Sequence, residues 1–280
     1  MAIYINSNVT SLISQRNLTK NTDLLSRSFE RLSSGFKINR ASDDAAGLAL
    51  SERLRTQLKG NTQAITNSQD GVNMLQIADG GLEVITDNLQ RINELTVRAA
   101  NGTYATAERC SIFKEIQQRL LDITRIAKTS DYNKINLLTA DFTSLVLQIG
   151  STSGSTSVLD IAPALPNATA TNLGINLNID PMKWTSDMAR SYIDSISGAL
   201  STVINARSMI GAYQNRLESA LSNLTIMNEN VTSSESRIRD IDIAEESSNM
   251  TRYQILQQAS ASILTQANQL PSIALSLLGS

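Results

Sequence analysis

From Leu75 the apolar residues fall at Leu75, Ala78, Leu82, Ile85, Leu89 and Ile92. Steps of three and four alternate, so all six lie along one narrow stripe of a helix, the pattern of a coiled-coil seam. At ~1.5 Å of rise per residue this stripe alone runs about 25 Å. A second seam follows at Ile112, Ile116, Leu120, Ile123 and Ala127. The third and longest is Ile193, Ile196, Leu200, Val203, Ile210, Leu217, Leu221, Leu224 and Val231, with the polar residues Arg207, Gln214 and Asn228 in register with it. Polar residues in a seam cost stability and fix register or chain count. A last seam reads Leu256, Ala259, Ile263, Gln266 and Leu270 and is closed by Pro271. The N-terminal segment mirrors it more loosely through Val9, Leu12, Leu18, Leu25, Phe29 and Leu32.

The middle of the chain breaks this rhythm. From about Asp131 to Pro181 it holds three of the four prolines and the Ser/Gly/Thr run "GSTSGSTS". β-favouring runs, Phe142 to Ile149 and Ser157 to Ile161, flank that turn and predict hairpins plus loop. The expected fold is therefore mainly α: a long coiled-coil-like helical bundle formed by the N- and C-terminal halves, with a small β-hairpin and loop insert. The expected divisions are an N-terminal helical arm (1–40), the N-terminal half of the body (41–130), the insert (131–185), the C-terminal half of the body (186–235) and a C-terminal arm (236–280). The simplest packing folds the two arms against each other as an antiparallel or bundled pair.

Between the first arm and the body lies "LSSGFKINRASDDAAGLALSERLR". Gly35 can end the first helix in the left-handed conformation, and Ser42, Asp43 or Asp44 can cap the next one. Asp43 and Asp44 read as caps rather than metal ligands, because no ligand-type cluster accompanies them.

Composition narrows the function. Aromatics are 4% of the chain, the formal charge is −2, and there is no histidine. The charge gives no footprint for nucleic acid or an anionic membrane. No apolar run approaches the ~20 residues of a membrane span, so no membrane insertion is expected. Without histidine the commonest general base and metal ligand are missing, and the single Cys110 has no histidine to activate it. No cofactor and no catalytic residue are expected.

The linker just quoted resembles the N-terminal signature of bacterial flagellins. "NSQDGVNMLQIADGGLEVITDNLQRINELTVRAANGT" and "FKEIQQRLLDITRIAKTSDYNKINLL" continue the resemblance. At the other end "GAYQNRLESALSNLTIMNENVTSSESRIRDIDIAEESSNMTRYQILQQASASILTQANQLPSIALSLL" is similar to the flagellin C-terminal region. The likeness covers residues 1–140 and 190–278. It implies a structural, non-enzymatic subunit that self-assembles as a helical homopolymer, the extracellular flagellar filament. The terminal helices would line its inner tube. It also implies unfolded export through the flagellar type III system and encounters with an export chaperone, the filament cap and hook-junction proteins. The nearest rival is a hook–filament junction protein of the same axial family, whose match should weaken in the last helix. A flagellin with a metalloprotease insert would need a His-Glu-x-x-His helix, which this chain cannot supply.

The resemblance further implies a solvent-facing insert. At only ~50 residues it is too small for multiple outer domains, so a thin, smooth filament is expected, and deleting Gly150 to Pro166 should leave assembly intact. Its exposed Ser151 to Ser157 would be the natural place for O-linked sugars. The Asn-x-Ser/Thr sequons at Asn101, Asn167 and Asn230 read as chance in a chain rich in these residues. The charged run "SESRIRDIDIAEE" reads as a solvated helix face. Finally, Gln90, Arg91, Glu94, Leu95, Glu115 and Arg119 match the flagellin positions read by the Toll-like receptor of animals that senses flagellin. Arg91 and Leu95 are i,i+4, as are Glu115 and Arg119, so each pair is expected to share a helix face. The same face is expected to pack between subunits, which would hide it in the polymer. Arg98 stands where many receptor-activating relatives carry Gln.

Overall fold

The computed structural model describes residues 7–139, 144–175 and 180–278, with side chains placed as far as Gln269. Five long helices dominate: α1 (Val9–Ser34), α2 (Ala45–Ala100), α3 (Thr106–Thr129), α4 (Ser186–Arg239) and α5 (Ile243–Leu278). Two small antiparallel hairpins lie between α3 and α4. One pairs β1 (Asp131–Tyr132) with β2 (Ile135–Asn136), the other β3 (Val146–Gln148) with β4 (Val158–Asp160). The mainly α fold with a small β insert is as expected. The chain forms two compact units, one of residues 57–229, the other of residues 1–56 and 230–280.

In the unit of residues 57–229 the core follows the seams. Leu75, Ala78, Leu82, Ile85, Leu89 and Ile92 are fully buried, as are Ile116, Leu120, Ile123 and Ala127 of α3. Ile196, Val203, Ile210 and Leu217 of α4 close the cluster, with Leu200 partly buried against it. The α2 seam runs further than its apolar residues show. Asn61, Ala64, Ser68 and Gly71 continue the three–four spacing at the N-terminal side, and Thr96 and Ala99 at the other. Gly71 lets β3 approach closely, since a Cβ there would push the Leu147 side chain aside. Ser68, Thr86 and Thr96 are buried hydroxyls that bond the carbonyl four residues back, which satisfies them inside the helix. Arg207 sits on its seam as a charged rivet, with Nε 2.8 Å from Asp79 Oδ1 across to α2.

The insert corrects an expectation. Only residues 151–156 are an exposed tip. Leu159, Ile161, Ala162, Ala164, Leu165, Ala168, Ala170, Leu173 and Ile175 are all buried in the helical core. Once β3 and β4 pair in the register Val146↔Asp160, the segment that follows lies on the bundle and covers apolar surface that the three helices leave open. The solvent-facing reading therefore fails for all but the tip, and the burial of Leu159, Ile161 and Leu165 weighs against the expectation that a chain lacking Gly150 to Pro166 still assembles. Phe142 and Thr143, part of the expected first strand, lie outside the described residues. Asp160 holds the hairpin end. Its carboxylate accepts from Leu145 N at 2.9 Å and Ala162 N at 3.0 Å, and these two bonds lower its pKa below the ordinary carboxylate value.

Three of the aromatics form one cluster. Trp184, the only tryptophan, stacks on Phe113 at 4.3 Å between ring centroids, and Tyr192 meets its edge at 5.1 Å. Trp184 is buried, and its Nε1 has no partner among the described residues. Burial pushes the Tyr192 phenol far above its usual pKa.

In the other unit α1 and α5 pair antiparallel. Gly35 ends α1 at φ +75°, with its N–H on Arg31 O at 2.9 Å, as the sequence predicts. The two chain segments beside it cross: Lys37 N donates to Arg239 O, and Ile241 N to Gly35 O. Asp44 caps α2 by accepting from Gly47 N at 2.9 Å. Asp43 instead accepts from Asn39 N and Arg40 N. The Arg40 bond, and more weakly the one to Asn39 and the charges of Arg31 and Arg27, lower its pKa.

Two further expectations are corrected here. Pro271 does not close the last helix, for α5 continues to Leu278. Proline leaves the carbonyl four residues back without its donor, and Asn8 Nδ2 of α1 supplies one to Ala267 O at 2.7 Å. The run Ser234 to Glu246 is not one solvated face. It breaks at residues 240–242, where Asp242 caps α5. Arg239 within it is mostly covered, lying over the Phe36 ring at 4.5 Å and 3.2 Å from Glu52. Glu246 is buried, 3.8 Å from Arg31.

Candidate assembly and recognition surfaces

Two surfaces stand out, one in each unit. The first is built on α1 and α5. The residues of α1 that turn inward are Ser11, Ser14, Leu18, Asn21, Leu25, Ser28 and Leu32, an unbroken three–four series in which four of seven are polar. Those of α5 are Glu246, Met250, Tyr253, Gln257, Ser260, Leu264 and Ala267, again in three–four steps. Hydrogen bonds knit the two series. Ser11 Oγ reaches Asn268 Oδ1 at 2.6 Å, Asn21 Nδ2 reaches Ser260 Oγ at 2.9 Å, and Gln257 Nε2 reaches Thr22 Oγ1 at 3.0 Å. Polar groups at such positions pair in one register only, which sets the alignment of the two helices at some cost in stability.

Other apolar residues of the arms point the other way. On α5 the stripe Leu256, Ala259 and Ile263 is exposed, and Leu256 and Ile263 keep 41% and 52% of their surface. Ile255 and Ile243 are exposed beside it. On α1 Val9, Leu12 and Ile13 are exposed on the side away from α5, and Phe29 is exposed further along. The seam read from the sequence as Leu256, Ala259, Ile263 and Gln266 is therefore real as a stripe, but it faces away from α1. Leu270 lies outside the residues whose side chains are described. A lone helix pair that keeps its polar seam inside and its apolar stripes outside has surface that waits for another partner.

The second surface joins α2 to α3. Arg91 Nη1 bonds Glu94 Oε2 at 2.7 Å, and its Nε lies 4.0 Å from Glu115 Oε1 on α3. Arg119 closes the network, 3.3 Å from Glu115 and 3.3 Å from Asn88 Oδ1. The Glu94 hydrogen bond, aided by the charge of Glu115, raises the Arg91 pKa further, so the guanidinium stays charged. Gln90 is exposed on the same helix. Leu95 is not part of this surface. It keeps 3% of its surface and belongs to the core under the charged residues. Positions four apart on a helix differ by ~40° around its axis, enough to carry Leu95 below the surface while Arg91 stays outside. The expected Arg/Leu/Glu patch is thus an Arg/Glu network. Arg98, further along α2, donates to the Tyr104 hydroxyl at 3.0 Å and lies against its ring.

The sequence reading missed the exposed Val9, Leu12, Ile13 and Phe29 as one outward set, and the Phe36–Arg239–Glu52 joint. Phe36 and Arg239 lie far apart in the chain, and nothing local signals their contact. Among the described residues no group of acidic or sulfur side chains could hold a metal ion, and no helix is long and apolar enough to cross a membrane.

Residues 5–143 match the family model of the bacterial flagellin N-terminal helical region, and residues 193–278 that of the C-terminal helical region. A flagellin of Halalkalibacterium halodurans is 41% identical over 98% of this chain and 99% of its own. Flagellin FlaB1 of Treponema pallidum is 37% identical over the same shares of the two chains. Among solved structures, a putative flagellar hook-associated protein from Vibrio parahaemolyticus aligns with a TM-score of 0.59 over 71% of this chain and 100% of that one. At 14% identity that likeness concerns the fold alone.

Proposed function

Because the chain belongs to the bacterial flagellin family, we propose that it is the subunit of an extracellular flagellar filament in which neighbouring copies cover the outward stripes of α1 and α5. It is a structural protein and not an enzyme. The observation that carries this reading is the set of aliphatic residues that the paired arms leave exposed while polar residues share the seam between them. Leu256, Ile263, Val9 and Leu12 are exposed, while Ser14, Ser28 and Ser260 are turned inward. Covering a half-exposed aliphatic side chain gains roughly 1 kcal/mol, so six or seven such residues per subunit supply several kcal/mol toward polymerisation. A subunit that repeats a heterologous contact without closing makes a helical polymer.

On the same reading the polymer serves swimming motility, and the subunit travels unfolded through the flagellar type III channel. An export chaperone would shield the α5 stripe on the way. The cap and hook-junction proteins would meet the same arms at the two ends of the filament. The expected regions are an inner tube from residues 1–40 and 236–280 and a body from 41–130 and 186–235. The Arg91, Glu94, Glu115 and Arg119 network, with Gln90 beside it, is the surface that a Toll-like receptor for flagellin would read. Its charges are held in place by ion pairs and are accessible in the lone chain. Leu95 would act only by holding α2 in place beneath them.

The test is to bring purified protein to high concentrations of an excluded salt, which strengthens apolar burial, and to follow sedimentation and electron micrographs. Long filaments are expected from the full chain, and none from a chain lacking residues 240–280. Oligomers of fixed size in place of filaments would favour the hook–filament junction protein. A fully folded chain that stays monomeric would overturn the reading.

A further inference from the structure

The turn between α2 and α3 reads Asn101-Gly102-Thr103-Tyr104. Asn101 is exposed, and Gly102 has open space where a side chain would stand. The Thr103 N–H donates to Asn101 Oδ1 at 3.2 Å. This closes an Asx turn that folds the carboxamide back along the main chain, toward the peptide bond it shares with Gly102. We propose that Asn101 is a self-modification site: its side-chain amide is converted to a carboxylate by attack of the Gly102 backbone nitrogen.

In the first step the deprotonated Gly102 nitrogen forms a bond to Asn101 Cγ. The Cγ–Nδ2 bond breaks, ammonia leaves, and a five-membered succinimide closes. In the second step water adds to one of the two ring carbonyls. Opening at Cγ gives aspartate, and opening at the main-chain carbon gives isoaspartate, in which the backbone runs through the β-carbon. The balance is Asn plus water to Asp plus ammonia, with no change of oxidation state. Three features favour the first step. Gly102 has no Cβ to obstruct ring closure, the Asx turn keeps nucleophile and electrophile close, and the Thr103 N–H sits on the oxygen that gains charge as the nitrogen attacks.

The chain carries its own controls. Asp70-Gly71 and Asp79-Gly80 have the same kind of reactive pair, but both lie inside α2, where the helix holds the backbone away from ring closure. Gly71 is also pressed against Leu147. Those sites are inert.

The experiment incubates folded full-length protein in heavy-oxygen water at mildly alkaline pH and reads tryptic peptides by mass spectrometry, with an isoaspartyl methyltransferase to mark isoaspartate. A peptide spanning residues 98–109 is run beside it. The expected result is time-dependent gain of labelled Asp and isoAsp at position 101, at a rate no lower than in the peptide, and none at positions 70 and 79. Asn101→Gln abolishes the gain, and Gly102→Val slows it at least tenfold. Thr103→Pro, which removes the amide donor, reduces the rate in the folded chain toward that of the peptide. An unmodified Asn101 in the folded chain while the peptide reacts would overturn the proposal, because the turn would then protect the amide.

Discussion

Changing Ile263 tests whether the outward stripe of α5 is an interface. Ile263 keeps 52% of its surface, and Leu256 lies two turns before it on the same stripe. Burying an isoleucine completely is worth about 1.5–3 kcal/mol, so roughly half, about 1 kcal/mol, remains to be gained when a neighbour covers it. For an end-addition polymer the critical concentration is the dissociation constant of that step, and 1.4 kcal/mol is about a factor of ten. Ile263→Ala should therefore raise the critical concentration about fivefold. Ile263→Asp adds the cost of placing a carboxylate in an apolar contact, at least ~2 kcal/mol more, and should raise it about a hundredfold or beyond. The monomer should hardly notice either change, since exposed substitutions away from caps and cores stay within about 0.5 kcal/mol. Sedimentation at graded concentrations gives the critical value, and circular dichroism on heating gives the stability of the monomer. Leu264, one residue on, is the contrast: it faces α1, so Leu264→Ala should loosen the arm pair in the monomer itself. An Ile263→Asp chain that polymerises at the wild-type concentration with unchanged melting would refute the assignment of this stripe.

Deleting Gly150 to Pro166 should unfold the unit of residues 57–229, because Leu159, Ile161 and Leu165 leave the core. Trp184 fluorescence should then report an exposed indole, whereas deleting only residues 151–155 should leave it buried. Leu95→Ala should cost about 2–5 kcal/mol in denaturant unfolding, and Arg91→Ala should leave the unfolding midpoint nearly unchanged, as expected of an exposed ion pair. In receptor signalling Arg91→Ala should lose tenfold or more in potency while the filament still forms. Hydrogen exchange on the monomer should be fast in residues 9–34 and 243–269, whose seam is largely polar, and slow in residues 75–127. A protected arm would contradict this. The folded-state pKa of Asp43 is lowered from 3.8, so its contribution is complete above that value and is lost as pH falls through the lower folded one. Exchange at the Asn39 and Arg40 amides should accelerate in that acid window and not above it.

The seams of α2, α3 and α4 were legible because burial there repeats every three to four residues, and all six seam residues from Leu75 to Ile92 are fully buried. The caps at Gly35 and Asp44 were legible too, since left-handed backbone and orphan helix amides have few chemical solutions. The β3–β4 hairpin showed through its β-favouring runs on either side of a Ser/Gly turn. Trp184 gave no such signal. Its partners Phe113 and Tyr192 come from two different helices, and no local pattern links them.

The physical limit is that periodicity identifies a stripe and not what covers it. Along the chain, Leu256–Ala259–Ile263 has the spacing of a seam, while Tyr253–Gln257–Ser260–Leu264 looks half polar. Only the pairing of α1 with α5 turns the second set inward, because Asn21, Gln257 and Ser11 find hydrogen bonds there that an apolar stripe could not give them. The same limit placed Leu95 beside Arg91 when the core of α2, α3 and α4 draws it inside. The family resemblance set the insert in solvent, although its aliphatic residues close the bundle. The sequence by itself determined which elements form and where they stop, since hydrogen-bonding, capping and turn preferences act within a few residues. The tertiary structure alone decided which apolar surface is buried within the chain and which is left for another, since that depends on contacts between residues hundreds of positions apart.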